Sequence, residues 1–77
     1  MDEDLQEKYN GLLLAKYEVD GRLAARRMMA DGTTPEQIYA GAKQKADELT
    51  ANFDPNDIKQ VTMVPYLAGV MKECLGD

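Results

Sequence analysis

Apolar residues return along the first part of the chain at Leu5, Tyr9, Leu12, Val19, Leu23 and Ala30, separated by three, four or seven positions. That spacing lays them along one stripe of an α-helix running from about Leu5 to Ala30. Leu13, Tyr17, Ala24 and Met28 widen the stripe on one side, while Glu7, Lys8, Glu18, Arg22 and Arg26 make a solvated opposite face. Glu18 precedes Arg22 by four residues, the favourable order for a helical ion pair.

Two glycines interrupt this pattern. Asn10-Gly11 and Asp20-Gly21 are turn dipeptides, and each glycine costs about 1 kcal/mol relative to alanine inside a helix. The chain therefore has two places to break. Asp20-Gly21 also fits the tip of a β-hairpin, with Tyr17 and Val19 alternating against Glu18 before it. The strongly helix-forming run Leu23 to Met29 that follows favours a helix.

Asp31-Gly32 supplies a left-handed helix stop, after which Thr34-Pro35-Glu36-Gln37 reads as N-cap, proline at the first helical position and capping-box glutamine. A second helix starts at Pro35, with Ile38, Ala42, Leu49 and Phe53 on one face and Tyr39 and Ala46 beside them. Asp54-Pro55-Asn56-Asp57 repeats the start logic, with Asp54 as N-cap, so a last helix is expected from Pro55. Its apolar residues Ile58, Val61, Met63, Val64, Leu67, Val70, Met71 and Leu75 fall all round the wheel, and such a helix is covered on several sides. Pro65 removes a backbone donor within it and predicts a kink, or a break between two short helices. The expected fold is all-α, one domain over residues 1–77, a small bundle of three to four helices.

At 77 residues the chain buries only roughly 60% of the surface it exposes when unfolded. It has one cysteine and no histidine, so an internal disulfide and a structural zinc site are both excluded as supports. A second copy or a protein partner is what remains to cover a thin core. The opening Met1-Asp2-Glu3-Asp4 is the reverse of a basic signal-peptide start, and no apolar run reaches the ~20 residues that span a bilayer. A lone thiol suits a reducing compartment, and the expected location is cytoplasmic.

Absent residues narrow the chemistry further. The chain has no serine, histidine or tryptophan, and Cys74 lacks a histidine to activate it, so it reads as a small core or interface hydrophobe. Length and acidity resemble those of acyl carrier proteins, but that family carries its prosthetic arm on the serine of an Asp-Ser-Leu motif, which this chain lacks. Asp54 to Asp57 has neither the central glycine nor the closing glutamate of an EF-hand, and Gly32 is not followed by the lysine of a phosphate-binding loop. No catalytic residue, cofactor or metal site is expected.

Leu23 to Lys45 has the outline of a helix-turn-helix, with Lys43 and Lys45 for phosphates and Arg22, Arg26 and Arg27 as a basic cluster. Against it stand the net charge of −5, which disfavours nucleic acid and anionic membranes, and Glu36 at the start of the would-be recognition helix. Methionine is adaptable and arginine is enriched at interfaces, which makes Arg26, Arg27 and Met29 candidates for partner contact. The all-round apolar segment Val61 to Met71 adds Met63, Tyr66, Val70 and Met71. The function expected from the sequence is a non-catalytic protein-interaction module, a small regulator, adaptor or inhibitor that occludes or scaffolds a protein partner, possible also as a homodimer. A dimeric helix-turn-helix DNA-binding regulator is the alternative. An enzyme ranks third, requiring acidic residues gathered around a metal.

Overall fold

The computed structural model describes the backbone of residues 3–76 and the side chains of residues 14–76. Three helices, α1 (Glu3–Ala30), α2 (Pro35–Ala51) and α3 (Ile58–Leu75), make up the described chain, with no strand among the described residues. The count is three, and none of the described helices is long and apolar enough to cross a membrane.

The turn between α1 and α2 follows the local chemistry. Gly32 takes a φ of 100°, and the amides of Gly32 and Thr33 donate to the carbonyls of Met29 and Met28, both at 3.0 Å, closing the end of α1. Thr34 then caps α2: its Oγ1 accepts from the Gln37 amide at 3.2 Å, and the Gln37 side chain accepts from the Thr34 amide at 3.3 Å.

Four expectations are corrected. Asp20-Gly21 is neither a hairpin tip nor a break, and the backbone also runs helically through Asn10-Gly11, because α1 is continuous from Glu3 to Ala30. The last helix starts at Ile58, capped by Asp57, whose carboxylate accepts from the Lys59 amide at 3.0 Å. Asp54 is used one turn earlier, accepting from the Asn56 amide at 2.9 Å, and Pro55 lies in that turn. Phe53 consequently falls beyond α2, 45% exposed. Pro65 sits inside α3 without dividing it.

The fourth correction concerns which side of α1 is buried. Val19 and Leu23, expected on the core stripe, are 52% and 50% exposed, while Gly21 and Ala25 on the opposite side are buried. Leu5, Tyr9 and Leu12 of the same stripe have side chains outside the described residues. The cause is a backbone-to-backbone contact with α3. A Cβ added at Gly21 would lie 2.0 Å from the Tyr66 carbonyl oxygen, and one added at Gly69 would lie 2.0 Å from that of Glu18. Two helices that approach this closely need residues without side chains at the crossing, so glycine and alanine take the interior position and larger apolar residues turn outward.

α3 is the element both others pack on, with α1 and α2 hardly touching each other. Tyr17 lies by Thr62 and Met63, and Arg22 by Glu73, so α1 and α3 run in the same direction; Tyr39 lies by Cys74, and Lys45 by Tyr66, so α2 runs against them. The buried apolar cluster is Ala25, Ile38, Ala42, Leu67 and Val70, with Met29, Ala46, Leu49, Tyr66, Met71 and Cys74 partly buried around it. Only three of those five are larger than alanine, so each carries a large share of the burial that holds the fold.

Candidate functional site

The close α1–α3 crossing brings the basic cluster of α1 onto the end of α3. Glu73 accepts from the Nε of Arg26 and from the Nη1 of Arg22 at 3.4 Å. Glu18 faces the Arg22 Nη2 at 3.8 Å, the i,i+4 pair expected from sequence, and the Lys72 Nζ at 3.0 Å. Hydrogen bonding from Arg26, reinforced by the charges of Arg26 and Arg22, holds the Glu73 carboxyl below its ordinary range despite the opposing effect of burial.

A group whose folded-state pKa is depressed stabilises the fold above the unfolded-chain value and loses that contribution as pH falls through the folded one. Acidification from about pH 5 to about pH 3 is therefore expected to lower the urea midpoint. Glu73→Gln, measured by circular dichroism, is expected to start from a lower midpoint at neutral pH and to show a shallower acid limb.

Between α2 and α3 lies an open cleft of about 300 Å³. Its floor is the core itself: Ile38, Ala42, Leu67 and Val70. Met28 and Tyr66 wall it, and Thr33, Gln37 and Lys45 supply the polar rim. Gly41 forms part of the lining, exposed, helical and with no atom within 4 Å of where its Cβ would stand. A glycine at a helix interior costs about 1 kcal/mol against alanine, and neither crowding nor a left-handed φ requires one here. Gly41 leaves the α2 backbone bare at the cleft.

The seven residues singled out from sequence are spread over several environments. Arg26 is ion-paired to Glu73 with its side chain 64% exposed, and Arg27 is exposed. Met29 and Met71 are half-buried against the core, and Val70 is buried at the cleft floor. Tyr66 lines the main cleft and a second depression of about 200 Å³, where Met63 joins Tyr17 and Thr62. Met28, Ile38, Gly41, Ala42 and Leu67, with Thr33 and Gln37 at the rim, complete the cleft and were not among those seven, and Lys45 was named only as a phosphate contact. Gly41 alone carried a signal, as a helix-weakening residue inside an otherwise well-formed helix.

Cys74 is half-buried beside Glu36 and Tyr39, and burial, then the negative charges of Glu73 and Glu36, push its thiol above the ordinary cysteine range. Such a thiol is held protonated, which makes it a poor nucleophile. Among the described residues, no group of three or more Cys, Asp or Glu side chains is placed to hold a metal ion. For the helix-turn-helix outline, the geometry couples Arg22 and Arg26 to α3 and leaves Glu36 in the first turn of α2, where a base-reading helix presents donors.

Fold and cleft together define a small all-α protein, three helices with α3 at the centre. No protein-family model, curated protein or solved structure matches the chain.

Proposed function

We propose that the protein is a non-catalytic interaction module that binds one helix of a protein partner in the α2–α3 cleft and acts by occluding or scaffolding that partner. The observation that carries this reading is Gly41: a residue that weakens α2, is not required by packing or backbone angle, and opens the cleft wall to a closely approaching backbone. The apolar floor suits a leucine- or phenylalanine-sized anchor, and Lys45 at the rim suits a carboxylate beside it. Among the described residues nine large apolar side chains, Met28 among them, stand more than a third exposed, a supply of contact surface for a chain this short.

The test is affinity capture from native lysate with and without nuclease, comparing the wild-type chain with Gly41→Leu. The leucine side chain enters open space, so the fold is retained while the cleft is filled. A stoichiometric, nuclease-resistant protein held by wild type and retained at least about tenfold less by Gly41→Leu is the expected result. Equal capture by both removes the cleft from the binding surface, and companions lost with nuclease turn the reading to DNA. As a companion measurement, Gly41→Ala is expected to raise stability by about 0.5–1 kcal/mol, a gain of several degrees in Tm.

A further inference from the structure

We infer that the third side of α3, which neither α1 nor α2 covers, pairs in antiparallel orientation with the same side of a second copy. Gly69 and Glu73 turn toward α1, and Leu67 and Cys74 turn toward α2. At about 100° per residue the side left over carries Val61, Val64, Ala68, Met71 and Leu75. These five recur at alternating steps of three and four, the seam spacing of a two-stranded coiled coil, and all are apolar. Val64 and Leu75 are 48% and 63% exposed, and the other three are half-buried. None of the five lines the cleft, so this surface is separate from it. The apolar residues of α3 fall all round the helix, and within one chain only two of its sides meet another helix.

Area and self-complementarity select a second copy as the occupant. The chain exposes 5782 Å², whereas a compact folded monomer of 8.6 kDa exposes about 4,700 Å². The excess of about 1,100 Å² is larger than the roughly 800 Å² that each partner of a standard interface buries. The seam itself holds no charge, and Lys72 beside it is turned to Glu18 at 3.0 Å, so two copies meet here without burying an unpaired charge. Antiparallel pairing also fits size to size. With the two-fold axis between Ala68 and Met71, the smallest seam residue of each copy, Ala68, faces the long Met71 of the other, and Val64 faces Leu75, the two most exposed members. A parallel pair instead sets Ala68 on Ala68, which leaves a gap, sets Lys72 beside its own copy, and aligns the two helix dipoles unfavourably. The pairing leaves the α1–α3 crossing and the cleft untouched.

Sedimentation equilibrium on the full chain, with circular dichroism as a check on folding, tests the pairing. Wild type is expected to dimerise with a dissociation constant on the order of micromolar, undiminished by salt because the contact is apolar and both copies carry the same net charge of −5. Val64→Glu and Leu75→Glu, both at exposed positions of the single chain, are expected to stay helical and to raise that constant by at least about a hundredfold and about tenfold respectively. Direction is read by mild oxidation of an equimolar mixture of Val64→Cys and Leu75→Cys chains, each in a Cys74→Ala background. Antiparallel pairing yields the mixed disulfide, and a parallel pair yields the two symmetric ones. A monomer at about 100 µM, a concentration at which micromolar pairing is largely complete, overturns the inference. So does a dimer indifferent to both glutamate variants, a dimer dissolved by high salt, or formation of the symmetric disulfides alone. A dimer lost on Gly41→Leu but kept by Val64→Glu overturns it too, placing the second copy in the cleft. A monomeric chain whose captured protein is lost on Val64→Glu overturns it as well, giving this face to that protein.

Discussion

Gly69→Ala is expected to destabilise the fold by about 2–4 kcal/mol, net of the roughly 1 kcal/mol that alanine returns to the helix. The added Cβ stands 2.0 Å from the Glu18 carbonyl oxygen and 2.9 Å from its carbon, and a carbonyl inside a helix cannot rotate aside as a side chain can. The helices must separate, and all the dispersion contacts along the crossing weaken together. Gly21→Ala meets the Tyr66 carbonyl at the same 2.0 Å and is expected to behave alike. A 77-residue domain has a total stability of roughly 4–12 kcal/mol, so either change removes a large share of it and lowers the Tm by about 10 °C or more. Thermal melts read by circular dichroism decide the matter, with Gly41→Ala as internal contrast. One substitution type thus carries opposite signs at two kinds of glycine. If Gly69→Ala stabilises as Gly41→Ala does, α1 and α3 do not cross in backbone contact.

Leu67→Ala is expected to cost about 2–4 kcal/mol, a comparable loss by a different mechanism. Leu67 is 5% exposed and lies on α3, the helix that both others pack on, in the same buried cluster as Ala25 and Ile38. Ile38 and Val70 are the only other buried members of that cluster larger than alanine, so the loss of Leu67 removes much of the buried bulk even if the half-buried Met29, Tyr66 and Met71 relax toward the space it leaves. In urea, where the slope for a domain of this size is about 1 kcal/mol per molar, the midpoint is expected to fall by roughly 2 M or more with the slope little changed. A drop below about 0.5 kcal/mol means that Leu67 is not part of the core.

The elements that could be read from sequence are those whose chemistry is local. Thr34, Pro35 and Gln37 specify the start of α2 within four residues, and the structure forms both hydrogen bonds of the box. Gly32 stops α1 for the same kind of reason. At the start of α3 the local signal was duplicated, because Asp54 and Asp57 are each able to cap; Asp54 makes its own turn with Asn56 while its amide donates to Gln60, leaving Asp57 to begin the helix.

At Pro65 the break is absent because the cost of one missing donor is outweighed when α3 is packed on two sides. The buried side of α1 was harder still. Hydrophobicity points to Val19 and Leu23, and only the close approach of Gly21 to the Tyr66 carbonyl and of Gly69 to the Glu18 carbonyl reveals that the interior face is the one with the smallest residues. The cleft is likewise tertiary: Met28, Ala42 and Tyr66 come from three different helices, and no spacing in the sequence brings them together.

The central claim is that the α2–α3 cleft takes the partner. Its most direct test is a methyl NMR titration of the labelled protein with the captured partner, following Met28, Ile38, Leu67 and Val70 at the cleft against Val19 and Leu23 on the outer side of α1. The cleft methyls are expected to shift together at saturation while Val19 and Leu23 stay in place. Shifts confined to Val19 and Leu23, with the cleft methyls unmoved, contradict it.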